Sequence, residues 1–273
     1  MTKRSITRSI FAIAVAAMGV ALVPATTYAA PIVFTVNENV VPGTDPVALF
    51  TADKITSSYI ENISFSGNTF TANLLVTFNG YDLLGVPQFS QVGTNTPAGE
   101  AGDAGDYGLY ATVVVTGTFT SAPDPSDPNQ TVFDFDPLAA TANVFLNPDQ
   151  VIGGDSLILT ANTINTGPPT DGSVTTVTST GQVVGGTFTL QFTNGQTQGL
   201  GTTYWPTFTG LTLIATATGD VDETSNLGAT GGRVTGEASI NFEGVAAPEP
   251  ATLALFGMAL FGSGIAARRR RKV

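Results

Sequence analysis

The sequence predicts an all-β body, an antiparallel sandwich or jelly roll, and three observations support this fold class. The body is rich in Thr, Val, Phe, Gly and Asn and poor in Lys, Glu and Leu, a composition typical of strands and turns. Apolar and polar residues alternate in several runs, as they do in half-buried strands. Clusters of Gly, Pro, Asp and Asn separate these runs. We expect one domain; if there are two halves, residues 123–129 are the best place to divide them.

The clearest alternation follows a turn predicted at Gly67-Asn68. Every second residue from Phe70 to Phe78 is apolar, and the residues between them are mostly Thr and Asn. This pattern predicts a hairpin with one face in the core. Four further stretches are predicted as strands: 109–120, 174–192 (two strands broken at Gly185-Gly186), 205–218 (with a bulge at Gly210) and 234–242.

A Thr-Phe-Thr triplet recurs at residues 69–71, 118–120, 187–189 and 207–209. The intervals between the triplets differ, so they do not form a solenoid repeat. Each triplet predicts a strand in which Phe points inward and the β-branched Thr residues point to solvent.

Residues 1–29 are predicted to be a secretory signal peptide, with its apolar region in a helix. Lys3, Arg4 and Arg8 form its positive region, and residues 10–23 form its apolar region. Small residues near Ala29 indicate cleavage by signal peptidase between Ala29 and Ala30. We therefore expect an exported body of residues 30–247.

Residues 248–273 form a separate segment with three parts. Pro248-Glu249-Pro250 ends the body, because proline interrupts regular structure. Residues 251–267 are apolar or small, and at ~1.5 Å per residue they would form a single transmembrane helix of roughly 25 Å. A basic cluster follows, which is expected to stay on the cytoplasmic side of the inner membrane; it consists of Arg268, Arg269, Arg270, Arg271 and Lys272.

This segment resembles the PEP-CTERM sorting signal of Gram-negative bacteria that make exopolysaccharide. The resemblance runs from Pro248 through Glu249 and Pro250 to Arg271. It implies recognition by a membrane-embedded exosortase, cleavage near the motif, and release or attachment at the cell surface. A simple tail anchor is the alternative. The resemblance covers about a tenth of the chain.

The body also resembles the flocculation-associated branch of PEP-CTERM proteins. The similar stretches are residues 34–38, 50–55, 59–61 and 107–110. The resemblance implies a role in floc and biofilm formation through exopolysaccharide or other matrix components.

Charge and composition exclude several classes of function. The exported body carries 20 carboxylates and only two cations, Lys54 and Arg233, so its net charge is −18. Binding to nucleic acid is not expected, because phosphate contacts need a basic surface. The sequence has no Cys for disulfides and no His, the commonest general base and transition-metal ligand.

Two acidic clusters on predicted loops are candidates for calcium binding, Asp103 with Asp106, and Asp220 with Asp222 and Glu223. Calcium prefers several carboxylate and carbonyl oxygens on flexible loops. Neither cluster has the spacing of an EF-hand, so solvated acidic turns are the favoured interpretation, and no cofactor is predicted.

Asp134 and Asp136 alternate with Phe on a predicted strand, which places both carboxylates on one face. A glycosidase needs two such acids, but acids on an exposed edge strand also prevent aggregation. No nucleophile with a neighbouring base is evident, so we predict that the protein is not an enzyme.

The leading hypothesis is therefore an exported, non-catalytic protein of the cell surface or extracellular matrix. The alternatives are a secreted carbohydrate-binding module, a carbohydrate-active enzyme and, with less support, an ice-binding protein whose Thr residues order water. A deep cleft with convergent carboxylates would favour the enzyme, and flat acidic faces would favour the matrix protein.

Overall fold

The computed structural model describes residues 32–41, 49–92, 107–148, 155–223 and 225–244. The predicted signal peptide, its cleavage site at Ala29 and Ala30, and the whole of the segment 248–273 lie outside these residues. In the described parts of the chain, no helix is both long and apolar enough to cross a membrane.

The described residues are mostly antiparallel strands, as the sequence predicts. In chain order the strands are β1 (Phe34–Val36), β2 (Phe50–Ala52), β3 (Lys54–Ser66), β4 (Thr69–Leu83), β5 (Val86–Pro87), β6 (Gly108–Pro123), β7 (Gln130–Asn147), β8 (Ser156–Ala161), β9 (Asp171–Val177), β10 (Val183–Thr197), β11 (Leu213–Asp220), β12 (Asn226–Gly228) and β13 (Gly231–Gly244). The helices are short: a 3₁₀ helix at Glu38–Val40, α1 at Gly201–Tyr204 and a 3₁₀ helix at Pro206–Phe208.

The long strands form one closed up-and-down barrel. Around the barrel, β3, β4, β6, β7, β10, β11 and β13 follow one another in chain order, and β13 pairs with both β11 and β3. Strands β8 and β9 share the eighth position, because both lie between β7 and β10. Closure pairs both edges of the sheet, which otherwise expose unpaired backbone groups.

This topology corrects the predicted sandwich or jelly roll. A jelly roll needs strands that return to distant neighbours, whereas each long strand here pairs with its neighbours in the sequence. Residues 123–129, the suggested place of division, are the last residue of β6 and the turn that leads to β7. These two strands are paired from Gly108 with Asn147 to Pro123 with Thr131.

Alternation along the strands decides which side chains fill the barrel. In β4, Phe70, Ala72, Leu74, Val76 and Phe78 are all buried, which confirms the pattern predicted for this stretch. The hairpin turn at Gly67-Asn68 is also confirmed, since β3 ends at Ser66 and β4 begins at Thr69.

Two predicted strands differ from the structure. Residues 174–192 do form two strands, but the turn between them lies at residues 178–182 rather than at Gly185-Gly186, which belong to β10. Residues 206–208 form a 3₁₀ helix, and the strand begins only at Leu213. The fourth Thr-Phe-Thr triplet therefore lies at a helix, although Phe208 is fully buried there.

Glycines opposite aromatic rings shape the barrel interior. The ring of Phe188 on β10 lies over Gly219 on β11, where a Cβ atom would come within 2.5 Å of Phe188 Cε1. Phe70 lies over Gly117 in the same way, with a Cβ atom 2.7 Å from the ring. These pairs of large and small residues let several rings fit inside one barrel.

The barrel has two different ends. At the hairpin end lie the turns that join β3 to β4, β6 to β7 and β9 to β10. The opposite end is covered by what we call the plug: β1, β2 and the three short helices. Phe34 of the plug packs against Tyr81 at the end of β4 and against Phe242 near the end of β13.

Candidate functional site

The predicted sorting motif at Pro248, Glu249 and Pro250 and the basic residues 268–272 lie outside the described residues, so the structure does not place them. The acidic residues Asp103 and Asp106 also lie outside. The other sequence-predicted carboxylates are described.

Asp134 and Asp136 both lie on β7 and both are exposed, because they point to the outside of the barrel. Their neighbours Phe133 and Phe135 point inward. The two acids do share one face, as predicted, but that face is the outer wall of the barrel.

The second acidic cluster is distributed over a strand end and a turn. Asp220 Oδ1 accepts a hydrogen bond from the backbone N–H of Glu237 at 3.2 Å, and Asp222 Oδ2 accepts one from Thr235 Oγ1 at 3.3 Å. These bonds tie the turn after β11 to β13. Among the described residues, no group of three or more acidic side chains is arranged to hold a metal ion.

The interior of the barrel contains an apolar cavity of about 80 Å³. Side chains from all eight strand positions surround it, and Trp205 of the plug covers it at one end. No polar atom faces this space. A cavity with such walls stays dry, because water needs polar partners to remain inside a protein.

A second cavity of about 50 Å³ lies nearer the hairpin end. It shares Leu74, Phe188 and Leu190 with the first cavity, so these three side chains separate the two spaces. Its walls also include polar residues: Glu61 on β3, Asp171 and Ser173 on β9, and Thr187 on β10.

Glu61 occupies an inward-facing position of β3. It alternates with Tyr59 and Ile63, which are 2% and 8% exposed, and it lines the second cavity together with Phe70. Part of its surface remains accessible, but the surrounding protein desolvates the carboxyl group and raises its pKa to about 7. No described residue donates a hydrogen bond to it or forms an ion pair with it.

The plug contains a buried chain of polar side chains. Tyr204 in α1 exchanges hydrogen bonds with Tyr81 (2.7 Å between the hydroxyl oxygens) and with Tyr107. Tyr107 in turn donates to Glu38 Oε1 at 3.0 Å. Glu38 is 1% exposed and also accepts from the backbone N–H of Gln91. The buried carboxylate is thus held by hydrogen bonds, as a buried charge requires.

Burial raises the pKa of all three phenols well above the ordinary value of tyrosine. The neighbouring phenols and the Glu38 carboxylate add to this effect of burial on the tyrosine pKa values, because like charges would lie close together in a poorly solvated place. The phenols of Tyr81, Tyr107 and Tyr204 therefore stay neutral and serve as hydrogen-bonding groups that hold the plug on the barrel.

On the outside of the barrel, a shallow polar groove of about 570 Å³ crosses β11, β13, β3 and β4. Thr218, Ser239 and Thr56 lie side by side across three strands. Asp220, Glu237 and Asn79 add acidic and amide groups to the same surface.

The sequence interpretation missed Glu61, the plug network and the outer groove. The signal for Glu61 was present, because it continues the inward alternation of Tyr59 and Ile63. The network and the groove had no such signal, since they join residues far apart in the chain, such as Glu38 with Tyr107, or Thr56 with Ser239.

Comparison with known protein families returned one match: residues 246–271 fit the model of the PEP-CTERM protein-sorting motif. This range contains the predicted Pro248, Glu249 and Pro250 and most of the basic cluster. No curated protein and no solved structure matched the chain. The match covers the sorting segment alone, so the likeness of the body to the flocculation-associated branch stays a prediction. The motif at residues 246–271 marks this chain as an exported protein that is sorted by an exosortase at the membrane and then reaches the cell surface or the extracellular space.

Proposed function

We propose that the exported body acts without catalysis in exopolysaccharide-linked flocculation or biofilm formation. The observation that carries this proposal is the distribution of polar groups over the barrel. The described carboxylates Asp134, Asp136, Asp220 and Glu237 are exposed, whereas the central cavity is enclosed by apolar side chains. A body with its polar chemistry on the outside is suited to contacts with a hydrated matrix.

The same distribution argues against the rival hypothesis of a carbohydrate-active enzyme. Such an enzyme needs two carboxyl groups facing each other across a bound sugar, in a cleft. Asp134 and Asp136 instead follow each other along one face of β7, and neither lines a described cavity.

A secreted carbohydrate-binding module is the second candidate, and the outer groove favours it. Hydroxyl and carboxylate groups pair well with sugar hydroxyls. Glu237 is exposed and Asn79 lies beside it in the groove, and neither side chain is engaged in a hydrogen bond within the described part of the chain. This candidate is compatible with a matrix role, since binding to exopolysaccharide is one way to act in flocculation.

Deletion of the gene tests the proposal. We expect the deletion strain to flocculate less and to hold less polysaccharide in its pellet, and we expect the parent gene to restore both. A copy with Glu237→Gln and Asn79→Ala, which alters the groove on the outer wall, should restore less than the parent gene if the groove binds the glycan. Unchanged flocculation and matrix composition after deletion would refute the proposed role.

Secretion of the groove variant must be checked in the same strains. A variant that reaches the medium or the surface in the parent's amount, but does not restore flocculation, supports the groove. A variant that restores flocculation fully shows that the body acts through another surface.

A further inference from the structure

The two interior cavities form a nearly continuous space along the barrel axis. The central cavity of about 80 Å³ and the hairpin-end cavity of about 50 Å³ are separated only by Leu74, Phe188 and Leu190. Rotation of these side chains would join the two spaces. Together they approach the ~150 Å³ of an engineered protein cavity that binds benzene.

Of the two acidic residues that line this space, Asp171 is exposed to solvent, whereas Glu61 occupies an inward-facing position. A carboxylate in a poorly solvated place is stable only when it is paired with a cation or with hydrogen-bond donors. The described chain supplies neither. Its two cations lie elsewhere, since Lys54 pairs with Asp82 at 2.8 Å and the exposed Arg233 lies opposite Asn62 on the outer wall.

The hairpin end of the barrel is lined with aromatic rings. Phe65 stacks on Phe119 with ring centroids 4.2 Å apart, and Phe133 and Phe135 lie within 6.1 Å of Phe65. Phe65, Phe119 and Phe135 are only partly buried. Aromatic faces attract cations as well as apolar groups, so this end of the barrel suits the passage of an apolar cation.

The charge of the whole body points to a ligand of the same kind. A body with a net charge of −18 concentrates cations near its surface and repels anions. A fatty acid or another apolar anion would be repelled by this field and by Glu61. An apolar amine fits all three features. Its cationic group is attracted by the negative charge of the body and pairs with the Glu61 carboxyl, and its apolar part contacts the apolar walls of the cavities.

We propose that the barrel interior binds a small apolar amine, whose ammonium group pairs with Glu61 and whose apolar part fills the cavities beside Leu74 and Phe188. The size of the two cavities limits the apolar part to about the size of one aromatic ring. The site is separate from the outer groove and from the sorting motif, so it is independent of the proposed matrix function.

Calorimetric titration with benzylamine tests the proposal, with toluene and benzoate as probes of the same ring without the cation. We expect the purified protein to bind benzylamine more tightly than toluene and not to bind benzoate. Glu61→Gln should weaken benzylamine binding about tenfold or more, as expected for loss of a hydrogen-bonded charge pair, and should leave toluene binding unchanged. Asp134→Asn, which also converts a carboxylate to an amide but lies exposed on the outer wall, is the matched control and should bind all three probes as the parent does.

A second variant locates the ligand in the cavity. Ala142 lines the central cavity from β7, so Ala142→Val narrows it and should weaken both benzylamine and toluene. Thermal unfolding verifies that each variant is folded. Absence of benzylamine binding to the parent protein, or equal binding by the parent and Glu61→Gln, would overturn the proposal.

Discussion

Glu61 links the burial of a single carboxyl group to the stability of the barrel. Its pKa is raised by desolvation from 4.5 to about 7, so the folded protein binds this proton more tightly than the unfolded chain does. This tighter proton binding stabilises the folded state. The stabilisation is complete below about pH 4.5 and is lost as the pH rises to 7. Above pH 7 the folded state carries a desolvated charge.

We expect Glu61→Gln to stabilise the protein at pH 8 and to have little effect at pH 4.5. Each unit of pKa shift corresponds to ~1.4 kcal/mol, and after allowance for partial exposure the gain at pH 8 is on the order of 2 kcal/mol. Urea unfolding at both pH values measures it. Glu237→Gln, the same substitution at an exposed position on the outer wall, is the control.

Gly219 is a residue at which the absence of a side chain is required. A Cβ atom there would lie 2.5 Å from Phe188 Cε1 and 2.6 Å from the Glu237 carbonyl oxygen. We expect Gly219→Ala to lower the free energy of unfolding by ~1–3 kcal/mol, as overpacking does. Gly185→Ala is the matched control on β10, because nothing lies within 4 Å of a Cβ atom at that position. Equal unfolding midpoints for the two variants would contradict this role for Gly219.

At the scale of elements, the plug is held on the barrel by contacts between residues far apart in the sequence. The 3₁₀ helix at Glu38–Val40 contributes Glu38 to the hydrogen-bond network, and α1 contributes Tyr204. The barrel contributes Tyr81 and Tyr107. Trp205 and Phe208 add apolar contacts against Phe242 of β13. The hydrogen bonds orient the plug, and the aromatic rings exclude water from the end of the barrel.

We expect Tyr204→Phe to destabilise the protein by ~1–3 kcal/mol, because it removes a hydroxyl that two buried phenols use. Urea unfolding at pH 7 measures this change. The control is Tyr110→Phe, since Tyr110 is only half-buried and its hydroxyl bonds to a single carboxylate, Asp155, at 2.5 Å. A smaller loss from Tyr204→Phe than from Tyr110→Phe would show that the network does not hold the plug.

The same network predicts how the protein unfolds in alkali. The pKa values of Tyr81, Tyr107 and Tyr204 are raised in the folded state. Their contribution to the free energy of unfolding is therefore complete below pH 10, the ordinary pKa of a phenol. It is lost above that pH, where the unfolded chain ionises and the folded one does not.

At the scale of the whole molecule, the body and the sorting segment have separate roles. The barrel is closed, and the match to the PEP-CTERM motif lies beyond its last strand, at residues 246–271. The segment directs sorting of the protein, and under the proposed function the barrel supplies the surface that acts at the destination. Removal of the segment should therefore change where the protein goes without changing the fold of the body.

Mass spectrometry of the medium and the cell surface tests this division. We expect a mature chain that begins near Ala30 and lacks residues 268–273, the result of the predicted cleavage of the two terminal segments by signal peptidase and exosortase. Glu249→Ala should slow the second cleavage if the exosortase recognises the motif directly. Full-length protein confined to the inner membrane would show that the segment is a simple anchor.

The sequence by itself determined the all-β class of the fold, the alternation that fills the barrel and the sorting motif. Alternation in β4, the turn at Gly67-Asn68 and the composition of the body are local properties, so they are readable without a structure. The segment from Pro248 to Lys272 is also local, because its motif, apolar run and basic cluster follow one another directly in the chain.

Only the tertiary structure decided that the sheet closes into a barrel rather than splitting into a sandwich. Strand periodicity identifies the inner face of a strand but not its neighbour, and closure depends on the pairing of β13 with both β3 and β11. The plug has the same origin, since Glu38 and Tyr107 are 69 residues apart. The cavities beside Glu61 also depend on long-range packing, because the space left inside a barrel is set by the side chains of all its strands together.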